Sequence, residues 1–191
     1  MSLSESAQAV QQLQMSDYQR GILGVPEEFN LALLGGRGSG KTYAIILLIL
    51  RHLEQYGNDA RCLFIRRSFP GCMDFVATAR GLFTQVYGIQ ASYNNATHVW
   101  SLPKGYLEVG MLSDPSDFSR YQGRSFTRIY IDELTQFPEP SLVDLLWSCL
   151  RSSSVPTRLI VAANPGLAGH AWVNEKFNLA DAADWEPFSV Q

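Results

Sequence analysis

The stretch Gly35-Gly36-Arg37-Gly38-Ser39-Gly40-Lys41-Thr42 satisfies G-x-x-x-x-G-K-[ST] at each fixed position, and no other feature narrows the available folds as much. A loop of this kind works between a buried strand and a helix, and both flanks fit. Leu31-Ala32-Leu33-Leu34 leads in as an apolar strand, and Thr42 to Leu53 leads out as a helix. Gly35, Gly36, Gly38 and Gly40 remove the side chains that would keep backbone N–H groups away from a phosphate, and they permit turns with φ > 0. A helix starting near Gly40 turns its positive end toward the same point. Lys41 is placed to reach the β- and γ-phosphates of ATP, and the Thr42 hydroxyl to bind Mg²⁺. Arg37 adds another cation, expected to contact the γ-phosphate from within its own chain.

The other periodicities predict an α/β fold, a mostly parallel sheet with helices on both faces. Strands are expected at Arg61–Arg66, Arg128–Asp132 and Arg158–Ala163, and helices at Lys41–Tyr56, Met73–Tyr87, Ser141–Leu150 and Trp172–Leu179, with a short amphipathic piece at Asp17–Leu23. Thr97–Trp100 and Tyr106–Met111 alternate about Pro103-Lys104-Gly105 and predict a small β-hairpin insertion. Residues 1–16, polar and rich in Gln and Ser, read as a flexible lead or a loosely packed helix. Residues 17–191 then form one domain, and Asp114 and Asp117 cap a turn within it.

With 191 residues, 46% of them hydrophobic, the chain can bury one sizeable core. A net charge of −3 gives no general signature of a nucleic-acid binder and leaves a local basic patch possible. Cys62, Cys72 and Cys149 have neither metal-site spacing nor an even number, and are expected to be buried thiols in a reducing cytosol. No basic, apolar leader opens the sequence, and the longest apolar run, Ala44–Leu50, is too short to span a bilayer. His52, His98 and His170 have no ligand partners at zinc spacing. Trp100, Trp147, Trp172 and Trp185 are expected in the core or at interfaces. Arg66, Arg67, Arg80, Arg120, Arg124 and Arg128 are expected mostly on a solvated face.

A second half of a nucleotide site follows the loop. Ile129-Tyr130-Ile131-Asp132-Glu133 is an apolar strand ending in two carboxylates, which the fold would carry to the carboxyl edge of the sheet, where ligands bind. Asp132 is expected to hold Mg²⁺ and Glu133 to orient the attacking water. The strand Arg158–Ala163 ends in Asn164-Pro165-Gly166, where the Asn164 amide could bond the γ-phosphate or the lytic water. Ahead of the first strand, the Gln19 amide could read the adenine edge and Tyr18 could stack on the ring.

Taken in order from about Asp17 to Phe177, these pieces resemble the ATPase domain of the large terminase subunit, the DNA-packaging motor of tailed phages. Ser16-Asp17-Tyr18-Gln19-Arg20 is similar to that family's adenine-binding glutamine motif, and Gly35 to Thr42 with its Arg37 to its Walker A form. Tyr121-Gln122-Gly123-Arg124-Ser125-Phe126 running into Ile131-Asp132-Glu133-Leu134 resembles the segment through Walker B. Ala163-Asn164-Pro165-Gly166 resembles the coupling motif, and Gly169-His170-Ala171-Trp172-Val173 is similar to a segment of some members. The resemblance implies a P-loop NTPase fold of the ASCE, RecA-like kind, Mg²⁺-dependent ATP hydrolysis and movement of double-stranded DNA into a procapsid. Lys41 and Thr42 would bind phosphate and metal, Arg37 would be the Walker A arginine, Asp132 the metal ligand and Glu133 the catalytic carboxylate. Gln19 would read adenine, and Asn164 would couple hydrolysis to motion. Implied partners are the portal protein, the small terminase subunit and other copies of the chain in a ring, with no membrane, in the cytoplasm of an infected bacterial host.

Two departures stand out. Many members place an arginine where this chain has Gln122, so an arginine acting on a neighbouring subunit would be Arg124 or, second, Arg120. The family's C-terminal metal-dependent nuclease has no room before Gln191, so the chain is expected to be a fragment that cuts no DNA. A helicase-like ATPase and a nucleotide-binding assembly module with little hydrolysis remain alternatives. The first would need a second similar domain, and the second would not need Glu133.

Overall fold

A computed structural model describes residues 3–177 and 179. Seven strands form one sheet in the order β1-β7-β6-β2-β5-β4-β3. The first five places are held by β1 (Leu31–Leu34), β7 (Arg158–Ala163), β6 (Arg128–Ile131), β2 (Arg61–Arg66) and β5 (Tyr106–Met111), all parallel. Antiparallel β4 (Val99–Ser101) and β3 (Ser92–Asn94) complete the far edge.

Side chains alternate across the pleat, so each central strand feeds two cores. Cys62, Phe64, Tyr130, Ile160 and Ala162 face one cluster, while Leu63, Ile65, Ile129, Ile131, Leu159 and Val161 face the other. On the first face lie α1 (Leu3–Gln11), α2 (Asp17–Gly24), α3 (Lys41–Tyr56) and α4 (Phe69–Tyr87). On the second lie α5 (Ser141–Trp147) and α6 (His170–Phe177). A helix with apolar residues all round is a buried one, and α3 buries the run Ala44–Leu50.

Several expectations need correction. The expected hairpin is present as the antiparallel pair β4–β5, but it is joined to the main sheet, because β5 also runs parallel to β2 along six register pairs. Residues 3–11 are a helix packed on α3 and α4, and Ser6 is buried where its hydroxyl donates to Glu54 at 2.9 Å. The helix expected from Met73 begins at Phe69, because the Ser68 hydroxyl caps it by accepting from Gly71 N–H and Pro70 suits a first turn. Asp114 and Asp117 do form a capping box.

The three cysteines are free and buried. Trp100 is in the core, Trp147 is a little under half exposed, and Trp172 donates to the Phe137 carbonyl at 2.7 Å; Trp185 lies outside the described residues. Of the arginines expected on a solvated face, Arg66 and Arg128 are buried. No helix among the described residues is long and apolar enough to cross a membrane.

Candidate nucleotide site

Because β1, β6 and β7 run parallel, their carboxyl ends deliver three loops to one edge: the glycine-rich loop, Asp132-Glu133 and Asn164. There they line a cavity of about 370 Å³, together with Arg37, Arg66 and Thr78. Most of the residues singled out in the sequence therefore meet at one place.

Gly38 and Gly40 take φ of 80° and 81°, a region that costs a side-chain-bearing residue energy. Gly40 has a second reason: a Cβ there would stand 2.9 Å from Gln19 Nε2. Behind it, Lys41 folds its ammonium back along the loop. Its Nζ donates to the carbonyls of Gly35 and Gly36 at 2.8 Å each, to Ser39 Oγ at 2.9 Å and to Asn164 Oδ1 at 2.8 Å. Four acceptors compete for three protons. Burial lowers the Lys41 pKa, and the charge of Asp132 partly opposes that.

Asp132 is 3% exposed. Its Oδ2 accepts from the Thr42 hydroxyl at 3.2 Å and from Arg66 Nε and Nη2 at 3.1 and 2.5 Å, and its Oδ1 accepts from the Glu133 backbone N–H at 2.9 Å. One carboxylate beside one hydroxyl, with no cluster of three or more His, Cys, Asp or Glu ligands among the described residues, is the donor set that suits Mg²⁺ completed by phosphate oxygens and water. The residues present fit that ion. Glu133 sits at φ 55°, in the left-handed region, which turns its side chain away from the strand path. Its carboxylate accepts from Gln136 Nε2, and the Gln136 carbonyl accepts from Arg67 Nη1 at 2.6 Å.

Three residues were not foreseen. Arg66 ends β2 at the same sheet edge as the loop; that placement was the signal for it, and its rank among several arginines hid it. Burial lowers the Arg66 pKa, while the charge and hydrogen bonds of Asp132 outweigh burial and raise it. Gln136 holds Glu133. Thr135, fully buried, donates its hydroxyl to the Asn164 carbonyl at 2.7 Å, and its own carbonyl accepts from Gly169 N–H at 2.8 Å. A Cβ at Gly169 would lie 2.1 Å from the Phe137 carbonyl oxygen, so the chain leaving Asn164 is pressed against residues 135–137.

Other expectations land differently. Gln19 is buried beside Gly40, but its Oε1 closes a capping box with Ser16 N–H at 2.9 Å, which leaves the amide nitrogen on the loop side. Tyr18 lies in a separate apolar pocket with Ile22 and Leu31–Leu34, and burial pushes its hydroxyl up to about 12. Arg37 is exposed at the mouth. Arg124 does not line the cavity: it pairs with both Glu108 carboxylate oxygens and lies over Phe126, 5.1 Å from the ring centroid. Its partner Glu108 lies on β5, so Arg124 does not serve its own chain's cavity, and the role expected of it was on a neighbouring subunit. Arg120 is more exposed and stands 4.0 Å from Asp117.

Residues 32–178 match the family model described as terminase large subunit, T4likevirus-type, N-terminal. No curated protein sequence matches significantly. Among solved structures, the large terminase of bacteriophage HK97 is similar with a TM-score of 0.68 at 14% identity, over 92% of this chain and 41% of that one. A large terminase from a thermophilic bacteriophage gives 0.66 at 15% identity, over 80% and 40%. The large terminase ATPase domain of Thermus phage P74-26 gives 0.63 at 13% identity, over 91% and 73%. The thermophilic phage protein has also been solved in complex with ADP and with ATP-gamma-S. The chain spans about two fifths of the length of the full large terminases it matches. At such identities these structures establish the fold, a P-loop α/β sheet, and the match of the family model over most of the sequence places this chain in the terminase large-subunit family.

Proposed function

We propose that this chain binds and hydrolyses ATP with Mg²⁺, and that in its assembly the energy moves double-stranded viral DNA into a procapsid. One observation carries the reading: Lys41, Thr42, Asp132, Glu133 and Asn164, drawn from three loops, line a single cavity at the carboxyl edge of a parallel sheet. The relative solved with ADP and ATP-gamma-S supports a nucleotide as occupant.

The loop amides and the positive end of α3 would receive the phosphates, and Lys41 would exchange its carbonyl partners for β- and γ-oxygens. Thr42 and Asp132 would hold Mg²⁺, and the ion would supply positive charge to offset that of the phosphates. Glu133, steadied by Gln136, would orient a water in line with the γ-phosphorus; the new P–O bond forms as the bond to ADP breaks, giving ADP and phosphate. Asn164 would leave Lys41 as phosphate arrives. Its carbonyl is tied to Thr135, and Thr135 to Gly169, so the shift would pass to α6.

Duplex DNA, the portal protein, the small terminase subunit and a ring of copies are the proposed partners, and the cytoplasm of the infected bacterium the proposed setting. Arg120 is the freer of the two candidates for reaching a neighbouring subunit. The chain alone is proposed not to cleave DNA. The test is phosphate release from Mg-ATP, with and without duplex DNA, for the parent and Glu133→Gln. Turnover that the substitution abolishes and DNA stimulates supports the motor; turnover equal in both proteins removes Glu133 from the chemistry.

A further inference from the structure

We propose that Arg66 is a built-in stand-in for the divalent metal: its guanidinium and Mg²⁺ compete for the same oxygen, Asp132 Oδ2, so the metal enters only together with a triphosphate. This inference rests on the assignment of Asp132 and Thr42 as the metal's protein ligands.

Oδ2 already accepts from Arg66 Nε, Arg66 Nη2 and the Thr42 hydroxyl. A carboxylate oxygen has no room for a metal at about 2.0–2.1 Å while a guanidinium nitrogen stands 2.5 Å away. Arg66 and Asp132 are 7% and 3% exposed, so water screens the pair little and either partner left alone would be costly. The third donor, Nη1, bonds the Gly71 carbonyl in the first turn of α4 and fixes the guanidinium in its place.

Charge decides when the exchange occurs. The cavity is lined by the cations Arg37, Lys41 and Arg66 and by the carboxylates Asp132 and Glu133, an excess of one positive charge. A bare divalent ion would enter against that excess. A metal arriving on a triphosphate brings net negative charge, and the guanidinium can leave Oδ2 while keeping the Gly71 carbonyl and the field of Glu133. Arg66 acts here through Asp132, as a positioning residue.

The test reads metal binding rather than turnover. Mn²⁺ alone is titrated into the nucleotide-free protein, free Mn²⁺ is followed by electron paramagnetic resonance, and melting is recorded with and without Mn²⁺. Arg66→Gln is expected to bind Mn²⁺ at least tenfold more tightly than the parent and to gain melting temperature on adding it, while the parent responds little. Arg66→Lys keeps a charge but loses the two-point grip and falls between them; it also serves if Arg66→Gln fails to fold. In the Arg66→Gln background, Asp132→Asn is expected to abolish the tight binding. Folded Arg66 variants that bind Mn²⁺ no more tightly than the parent, while Asp132→Asn alone weakens binding of the Mn²⁺ complex of ATP-gamma-S, would overturn the stand-in alone. Mn²⁺ binding by the Arg66→Gln, Asp132→Asn double variant as tight as by Arg66→Gln would overturn the metal assignment beneath it.

Discussion

Both ends of the parallel sheet clamp arginines to a carboxylate, and the two clamps are built to different ends. At the amino end, Glu27 Oε2 accepts from Arg128 Nη2 at 3.0 Å and from the Tyr56 hydroxyl at 2.7 Å, with Arg51 Nε 3.9 Å from Oε1. Arg128 also donates to the Thr127 and Pro156 carbonyls, Arg158 Nε donates to the Phe29 carbonyl, and His52 meets Thr127 Oγ1 at 2.8 Å. These partners belong to the scaffold and have no reason to part. At the carboxyl end, Lys41 holds Asn164 and Arg66 holds Asp132, but around a cavity, and each has a partner that a phosphate or a metal could replace. Similar residue types serve stability at one end and exchange at the other. The distinction lies in whether open space adjoins the pair.

That contrast can be broken by substitution. Lys41→Ala has the largest expected effect: ATP turnover drops to background, measured as phosphate release, while the melting temperature holds or rises because a desolvated ammonium is gone. Glu27→Gln should do the reverse, costing about 3–5 kcal/mol in denaturant unfolding by leaving Arg128 uncompensated, with ATP affinity kept by the folded fraction. A loss below about 1 kcal/mol would refute the structural role of the amino-end clamp.

Asn164→Ala removes the amide that, once released from Lys41, would bond the charged γ-phosphate. About 1.5–3 kcal/mol, or a ten- to hundredfold fall in kcat/KM, is expected, with little change in stability. His52 provides a pH readout of the amino end. Burial, helped by the charge of Arg128, lowers its pKa from 6.5 to about 3, so the native imidazole stays neutral. Between those values the unfolded chain takes up a proton that the native one refuses, and stability falls as pH drops from 6.5 toward 3, by about 1.4 kcal/mol per unit. His52→Gln should flatten the slope in melts across that window, and an unchanged slope would exclude His52 as its source. Smallest of all, Arg124→Gln breaks a partly exposed pair with Glu108; a cost under about 1 kcal/mol and unaltered turnover of the isolated chain are expected.

Much of this was legible in the sequence because punctuation and period agreed. The strands Leu31–Leu34, Arg61–Arg66 and Arg158–Ala163 and the helix Lys41–Tyr56 fall where apolar runs meet glycine, asparagine or charge. Lys41, Thr42, Asp132 and Asn164 converge as read, since each follows or ends a strand of known direction. Long-range partners were not legible. That β5 pairs with β2 depends on contacts 45 positions apart in the chain, as with Leu107 and Cys62, and local alternation reveals only the antiparallel neighbour β4. Arg66 closes an apolar strand and Arg124 sits between Gly123 and Ser125; neither setting names a partner, and only the fold gives one Asp132 and the other Glu108. Gln19 was singled out as an adenine reader, but its use in a helix cap was not foreseen, because one amide can serve two neighbours.

The strand β1 has one bonded neighbour, β7, and is four residues long at the margin of the sheet. The loop that would grip the nucleotide therefore hangs from the parallel strand with the shortest purchase on the sheet, while its other end is rooted in the buried α3. Margins of sheets open more readily than centres. Amide exchange along Leu31–Leu34 should accordingly slow when the loop is filled, making this strand a reporter of occupancy that needs no label and no turnover.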